Sequence, residues 1–547
     1  MTDTASVGVE AMRELRATRR RHRIEELDWF EAAYRAYLTG IFGIFITLLL
    51  STWLGDDPVD AAAMADVRQY GPAAVGLVAA LALGLGLRSG SRGGPLALER
   101  AEVRFVLMAP IDRREVLRGG AWRTLRHAAF LGAVVGAISG QLAGRRLGGS
   151  LWAWGGSGAA SGALIGALFI GSAMVASGIG LRRWIATVLA ALVLLWAALD
   201  VFQVVPAPTT TLGSLALWPL RVHWIDLAGA LGVVAFAAAG FALLGKVSLE
   251  EAERRTALVG QLRFAVTLQD LRTVLVLRRQ LAQDLPRNRP WVQLGPAKRH
   301  PVWRRDWHGL LRFSSGRVLR LVLLAVSAGL CLRAAFEGIP PLIIVSGLAL
   351  FLAGLETSEP MAQEVDQSER SDSLPHPRGD LMIRHVPSSY LLMALLGIVV
   401  GLAMWAVQPS LFSLQLAAIV AVPAALCGAA GGVISVVMGA PEPSKDGVYL
   451  PPEVAGMKIF FRAALPVIVS ILGGVSVVVA HRVQKDVAAG LPGSPLGAAA
   501  TVAILALSIA TVVAIYVRYR DVMKLWWQRT MEESQQAAKQ RQTTRTP

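Results

Sequence analysis

YGPAAVGLVAALALGLGL, residues 70–87, is the stretch whose reading decides the fold class. It carries no charged residue, and its apolar side chains fall on every side of a helix instead of along one stripe. A helix of this length matches a hydrocarbon core of roughly 30 Å, and it satisfies its own backbone hydrogen bonds there. An equivalent run, YLTGIFGIFITLLLSTWL, lies at 37–54, and others recur toward the C-terminal region. Composition agrees: the 547 residues are 54% hydrophobic and only 17% charged, with a mean hydropathy of +0.51. The chain reads as an all-α polytopic membrane protein.

Spans are expected near 38–54, 70–87, 127–144, 157–178, 183–202 and 226–245, then near 318–336, 339–356, 387–407, 412–438, 460–480 and 496–517. The fourth and tenth runs are long and glycine-rich, so a tilted or broken helix is possible in each. The expected layout is a connecting segment at 1–36, a six-helix unit at 37–248 and a linker at 249–317. A second six-helix unit at 318–517 and an amphipathic tail at 518–547 follow. Arginines assign the sidedness: Arg13, Arg16, Arg19, Arg20, Arg21 and Arg23 precede the first span, and nine arginines lie in 88–126. The positive-inside rule then puts both termini in the cytoplasm, although Arg145, Arg146, Arg482 and Lys485 fall on the opposite side. The net charge of +16 fits contact with anionic lipid heads. No basic patch is interleaved with aromatics for base stacking, so nucleic acid is not an expected partner.

Chemical motifs are scarce. Cys331 and Cys427 both lie in apolar runs, which leaves no disulfide or cysteine-based zinc framework. The N-terminal 36 residues are mostly polar and do not read as a cleaved signal. A phosphate-binding G-x4-G-K-[ST] loop is absent, as is H-E-x-x-H. The chain is therefore expected not to be an enzyme, with no catalytic residue, bound cofactor or metal of its own. Serines in GSGAASG (156–162) are expected to serve close helix packing. Ionisable residues are nearly missing from the spans: Asp200, Glu356 and His481 sit at span ends, and Arg333 lies about a turn inside one, where snorkelling accounts for it at least as well as contact with a substrate does.

What stands out is the loop at 88–126. LALERAEVR (96–104), with Glu99, Arg100, Glu102 and Arg104, is expected to be helical. Pro110 breaks it, and Asp112 is placed to cap a short cytoplasmic helix RREVLRGG that ends at Gly119 and exposes Arg113, Arg114 and Arg118. A loop held at the lipid surface by its arginines is the alternative. The segment has a degenerate copy. MAPIDRREVL (108–117) aligns with SLPHPRGDLM (373–382) at an offset of 265, pairing Pro110 with Pro375, Arg113 with Arg378 and Glu115 with Asp380. Asp28-Trp29 likewise pairs with Asp306-Trp307, each in an aromatic and charged stretch just before a span, as interfacial amphipathic helices are. A short cytoplasmic helix capping the bundle is the other reading of those stretches. Two matches in equivalent places indicate two parallel six-span repeats.

MAPIDRREVLRGG and SLPHPRGDLM resemble the loops after the second span of each six-helix unit in bacterial ATP-binding cassette exporter permeases. An amphipathic connecting helix precedes the first span in that family. The resemblance implies a plasma-membrane permease with two fused six-helix units that docks two copies of a separate cassette ATPase, which carries the ATP and Mg. By this carry-over the docking residues are Glu99, Arg100, Glu102, Arg104, Pro110, Asp112, Arg113, Arg114, Glu115 and Arg118 in the first half. In the second they are Glu369, Arg370, Asp372, Pro375, Pro377, Arg378 and Asp380. His376-Pro377 replaces Ile111-Asp112, so the second helix is expected to start differently. The rival reading is an ion-coupled secondary carrier with two six-helix repeats, which would need buried ionisable residues. A third, a membrane signalling protein worked by an ATPase, would need an external domain larger than the stretch near 203–225. Charge-poor spans favour export of an amphipathic or apolar cargo such as an antibiotic, lipid or peptide.

Overall fold

The computed structural model describes residues 59–94, 112–248, 287–295, 300–366, 377–438 and 464–543, with isolated positions before residue 50. The described residues form helices and connecting turns, without strands. Among the described residues, nine helices are long and apolar enough to cross a membrane, or eleven if each of two bent pairs is one span. The chain divides after Gln261 into two compact units.

In the first unit the long helices are α1 (Ala61–Gly90), α2 (Arg113–Leu147), α3 (Leu151–Gly178), α4 (Arg183–Val201) and α6 (Leu227–Leu243). A short helix α5 (Thr210–Ala216) lies between α4 and α6. Asp60 caps α1 by accepting the Ala63 N–H at 2.8 Å, so the helix starts well before its apolar run. α3 packs along α2, α1 and α6, and α1 also packs along α4. Glycines set the spacing at the α2–α3 seam. A Cβ on Gly132, Gly136 or Gly140 would overlap the carbonyl oxygen of Gly162, Gly158 or Trp154, respectively. That is the small-residue packing expected of GSGAASG. α3 is unbroken despite its glycines, because paired backbones along the seam hold it in register.

The expected short helix ending at Gly119 is corrected: α2 is one helix of 35 residues that runs through Gly119 and Gly120 into the span. Asp112 does cap it, accepting the Arg114 N–H at 3.0 Å. Each glycine costs about 1 kcal/mol against alanine in a helix. Burial of Val116, Leu117, Ala121 and Leu125 on both sides of the pair outweighs this, each large aliphatic being worth about 1.5–3 kcal/mol. The stretch 203–225 is likewise more than a connecting loop. Leu212, Gly213, Ser214 and Leu215 of α5 are buried against α1 and α3, with Gly213 seated on the Pro72 carbonyl and Gly76 on the Thr210 backbone.

The first described helix of the second unit is α7 (Pro301–Leu310), followed by α8 (Ser315–Phe336), α9 (Leu342–Thr357) and α10 (Glu359–Asp366). Then come α11 (Arg378–Ile383), α12 (Val386–Val407), α13 (Leu411–Met438), α14 (Ala464–Leu472), α15 (Val475–Ala488) and α16 (Pro495–Thr543). α13 is central, buried over 78% of its most apolar window and unbroken at Pro423. It packs along α9, α12 and α16, while α9 meets α14 where Gly347 abuts Ile471. Three differences from expectation appear. α9 fills the expected eighth span and then bends by 60° into α10, while α14 and α15 meet at 42° inside the expected eleventh span, which is not a single straight helix. Consecutive Gly473-Gly474 supplies the second break. The amphipathic tail expected from 518 is not separate from the last span either: α16 continues without interruption to Thr543. Its sequence there holds no proline or glycine to stop it.

Candidate functional site

α7 is the expected second connecting helix. Pro301 occupies its first turn, and His300 precedes it in a left-handed conformation (φ 57°) that sets the entry angle. Of the two residues singled out by sequence, Trp307 packs against the core and stacks edge-on with Trp303 at 5.7 Å between ring centres. Asp306 is 1% exposed and does not face water or headgroups. Its carboxylate contacts His385 Nδ1 at 2.8 and 2.9 Å and accepts the Ser388 Oγ–H at 2.9 Å. Ser388 lies in the first turn of α12 and His385 just before it. The triad therefore clasps the connecting helix to the start of a membrane span.

A second set of charges lies beside it, where α8 begins and α9 ends. Glu356, 3% exposed, accepts from Arg317 Nε at 3.0 Å and from Arg320 Nη2 at 2.8 Å. Arg317 also donates Nη2 to the Glu356 carbonyl at 2.9 Å, pairs with Glu359 and lies over the Phe313 ring at 3.4 Å. Arg305 on α7 bonds Glu364 on α10 at 2.9 Å. At the bend itself Thr357 and Ser358 return their hydroxyls to the Gly354 carbonyl and touch Ser389 Oγ on α12 at 3.1 Å each. Connecting helix, bent span and α12 are thus joined at one end of the unit by groups whose buried charges all have partners.

The candidate docking segment of this half leads directly into that end. Pro377 caps α11, Arg378 and Asp380 lie in its first turn, and Gly379 is pressed on the Arg518 carbonyl of α16. Asp380 pairs with Arg518 Nε at 3.1 Å. Glu369, Arg370, Asp372 and Pro375 lie outside the described residues. In the first half Asp112, Arg113, Arg114 and Arg118 are exposed, and Glu115 is half-buried. Val116 and Leu117 below them pack with Ile170, Met174, Leu244 and Val247. Glu99, Arg100, Glu102, Arg104, Pro110, Asp28 and Trp29, like most of the first expected span and residues 249–286 of the linker, fall outside the described residues.

Elsewhere, Arg333, Asp200, expected at a span end, and Asp226, which sequence reading did not single out, are buried. Arg333 does not snorkel: it is 4% exposed and donates to Ser413 Oγ at 2.9 Å, Gln408 and Glu337. Desolvation of a guanidinium is tolerated because these acceptors replace water. Asp200 accepts from Thr210 on α5, and Asp226 accepts from Trp218 Nε1 at 3.0 Å. Sequence reading found Asp306 but missed His385, Ser388 and the arginine–glutamate set. A usable signal was present: Arg317 with Arg320, within α8, and Glu356 with Glu359, across the α9–α10 bend, share the same three-residue spacing. Set against protein-family profiles, curated proteins and solved structures, the chain matches none.

Proposed function

We propose that this chain is the transmembrane permease of an ATP-driven, ATP-binding cassette-type exporter. In this reading two fused parallel six-helix units lie in a plasma membrane with both termini cytoplasmic. Two copies of a separate ATPase dock on the segments around Asp112–Arg118 and Pro377–Asp380. The observation that carries the reading is the linkage around α11. Its exposed Arg378 is one short helix away from the His385–Asp306 clasp, and its Asp380 is tied to α16. Force applied there reaches the connecting helix and two spans through bonded side chains. The repeat is supported by matching helix pairs within each unit. α2 with α3, α1 with α3, α1 with α4 and α3 with α6 correspond to α12 with α13, α9 with α13, α9 with α14 and α13 with α16.

An ion-coupled carrier would instead expose a buried carboxylate to its ion. Asp200, Asp226, Asp306 and Glu356 are each held by a donor on a neighbouring segment, which favours structural roles for them. The cargo is inferred to be amphipathic or apolar. Purification of the tagged chain from its own host is expected to bring down a cassette ATPase. Arg113→Glu and Arg378→Glu should each weaken that association and the stimulated ATP hydrolysis. Unchanged assembly and hydrolysis in both variants, or uphill transport by the chain alone on an ion gradient, would refute the proposal.

A further inference from the structure

Beside the clasp, between α7 and the start of α12, lies an open pocket of about 570 Å³ lined by His300, Pro301, Val302, Trp303, Arg384 and Pro387. Its chemistry is divided. Pro301, Val302, Trp303 and Pro387 form an apolar wall, and Pro387 belongs to the first turn of the apolar helix α12. Arg384 and His300 supply the polar side, and no carboxylate is among the described residues that line the pocket. Among the described residues neither Arg384 nor His300 has a side-chain hydrogen bond or ion-pair partner, although the nearby Arg305, Arg317 and Arg320 are engaged.

The walls are fixed before any ligand arrives. Arg384 is adjacent to His385, which Asp306 holds at 2.8 Å, and Trp303 is braced by Trp307 one turn along α7. A cationic mouth with an apolar wall at the end of a membrane-spanning helix is what an anionic phospholipid presents itself to: phosphate to the guanidinium, glycerol and upper acyl chain to the indole and prolines. We propose that this pocket binds the phosphate headgroup of an anionic lipid. The inference rests on α12 being a membrane span and not on the chain being an exporter.

Native mass spectrometry of the full-length chain in detergent, with phosphatidylglycerol or phosphatidylcholine added at equal concentration, tests it. The chain is expected to retain phosphatidylglycerol preferentially, and Arg384→Gln to lower the affinity about tenfold, the effect of losing one charge-assisted hydrogen bond. His300→Gln, at an exposed position that perturbs no packing, should lower it less, and Arg384→Lys should keep part of it. Arg183→Gln, far along the chain on α4, serves as the control and should leave binding unchanged. Equal retention of the two lipids, or retention unaffected by both Arg384→Gln and His300→Gln, would overturn the proposal. Displacement of the lipid by excess inorganic phosphate would show a site for soluble phosphate and also overturn it. Failure of the chain to stay with membranes at all would sink the reading of α12 itself, a result distinct from loss of lipid preference.

Discussion

Asp306 illustrates how far a single residue is decided by its surroundings. With no partner a buried carboxylate would be protonated or exposed, since desolvating the charge costs several kcal/mol. His385 and Ser388 replace that lost water. Asp306→Ala is expected to lower unfolding stability in detergent by about 3 kcal/mol, because it orphans two buried polar groups. Asp306→Asn, which keeps an acceptor, should cost less, and thermal unfolding of the two variants side by side checks the order. Glu356 has the larger stake, as it answers Arg317 and Arg320 together. Glu356→Gln leaves two neighbouring guanidinium groups facing a neutral side chain and should destabilise by about 3 kcal/mol by the same measurement. The Asp380–Arg518 pair is different, since both side chains are about half exposed and water screens them. Breaking it is expected to change stability by less than about 1 kcal/mol. Sequence reading located Asp306 because an Asp-Trp pair recurs before two spans. It could not assign Asp306 a partner, since His385 lies 79 positions away.

At the scale of elements, the apolar runs and one helix cap were legible and the helix ends were not. Asp112 is legible as a capping residue and accepts the Arg114 N–H, whereas Asp60, which accepts the Ala63 N–H, reads in the sequence as part of a loop. Asp112→Ala should cost about 1 kcal/mol of stability. The extent of α2 was beyond local reading. Two glycines look like a stop, but long-range burial of Val116 and Leu117 carries the helix past them. The α2–α3 seam depends on glycine for closeness of approach. Gly136→Ala puts a methyl group into the Gly158 carbonyl, so the helices must separate. The expected cost is about 1–3 kcal/mol, read as a lower unfolding temperature. Gly156, with open space around its missing side chain, should accept alanine without loss, and the pair of variants isolates the seam from helix propensity.

At the scale of the molecule, the testable quantity is sidedness. Two parallel repeats require residues 113 and 378 to face the same compartment, whereas inverted repeats would put them on opposite sides. With Cys331 and Cys427 replaced by alanine, Arg113→Cys and Arg378→Cys are each expected to resist a membrane-impermeant thiol reagent in intact cells and to react after lysis. Labelling of one but not the other from outside contradicts the parallel arrangement, and labelling of both contradicts the cytoplasmic sidedness. By itself the sequence determined that this is a helical membrane protein and where most of its spans run. Charge-free runs of that length have no other way to satisfy their backbone, and that property is local. Tertiary structure decided which breaks are real, which polar residues are buried and which helices touch. Those outcomes depend on pairs such as Asp306 with His385, Glu356 with Arg317 and Gly136 with Gly158, whose members meet only after the helices have packed.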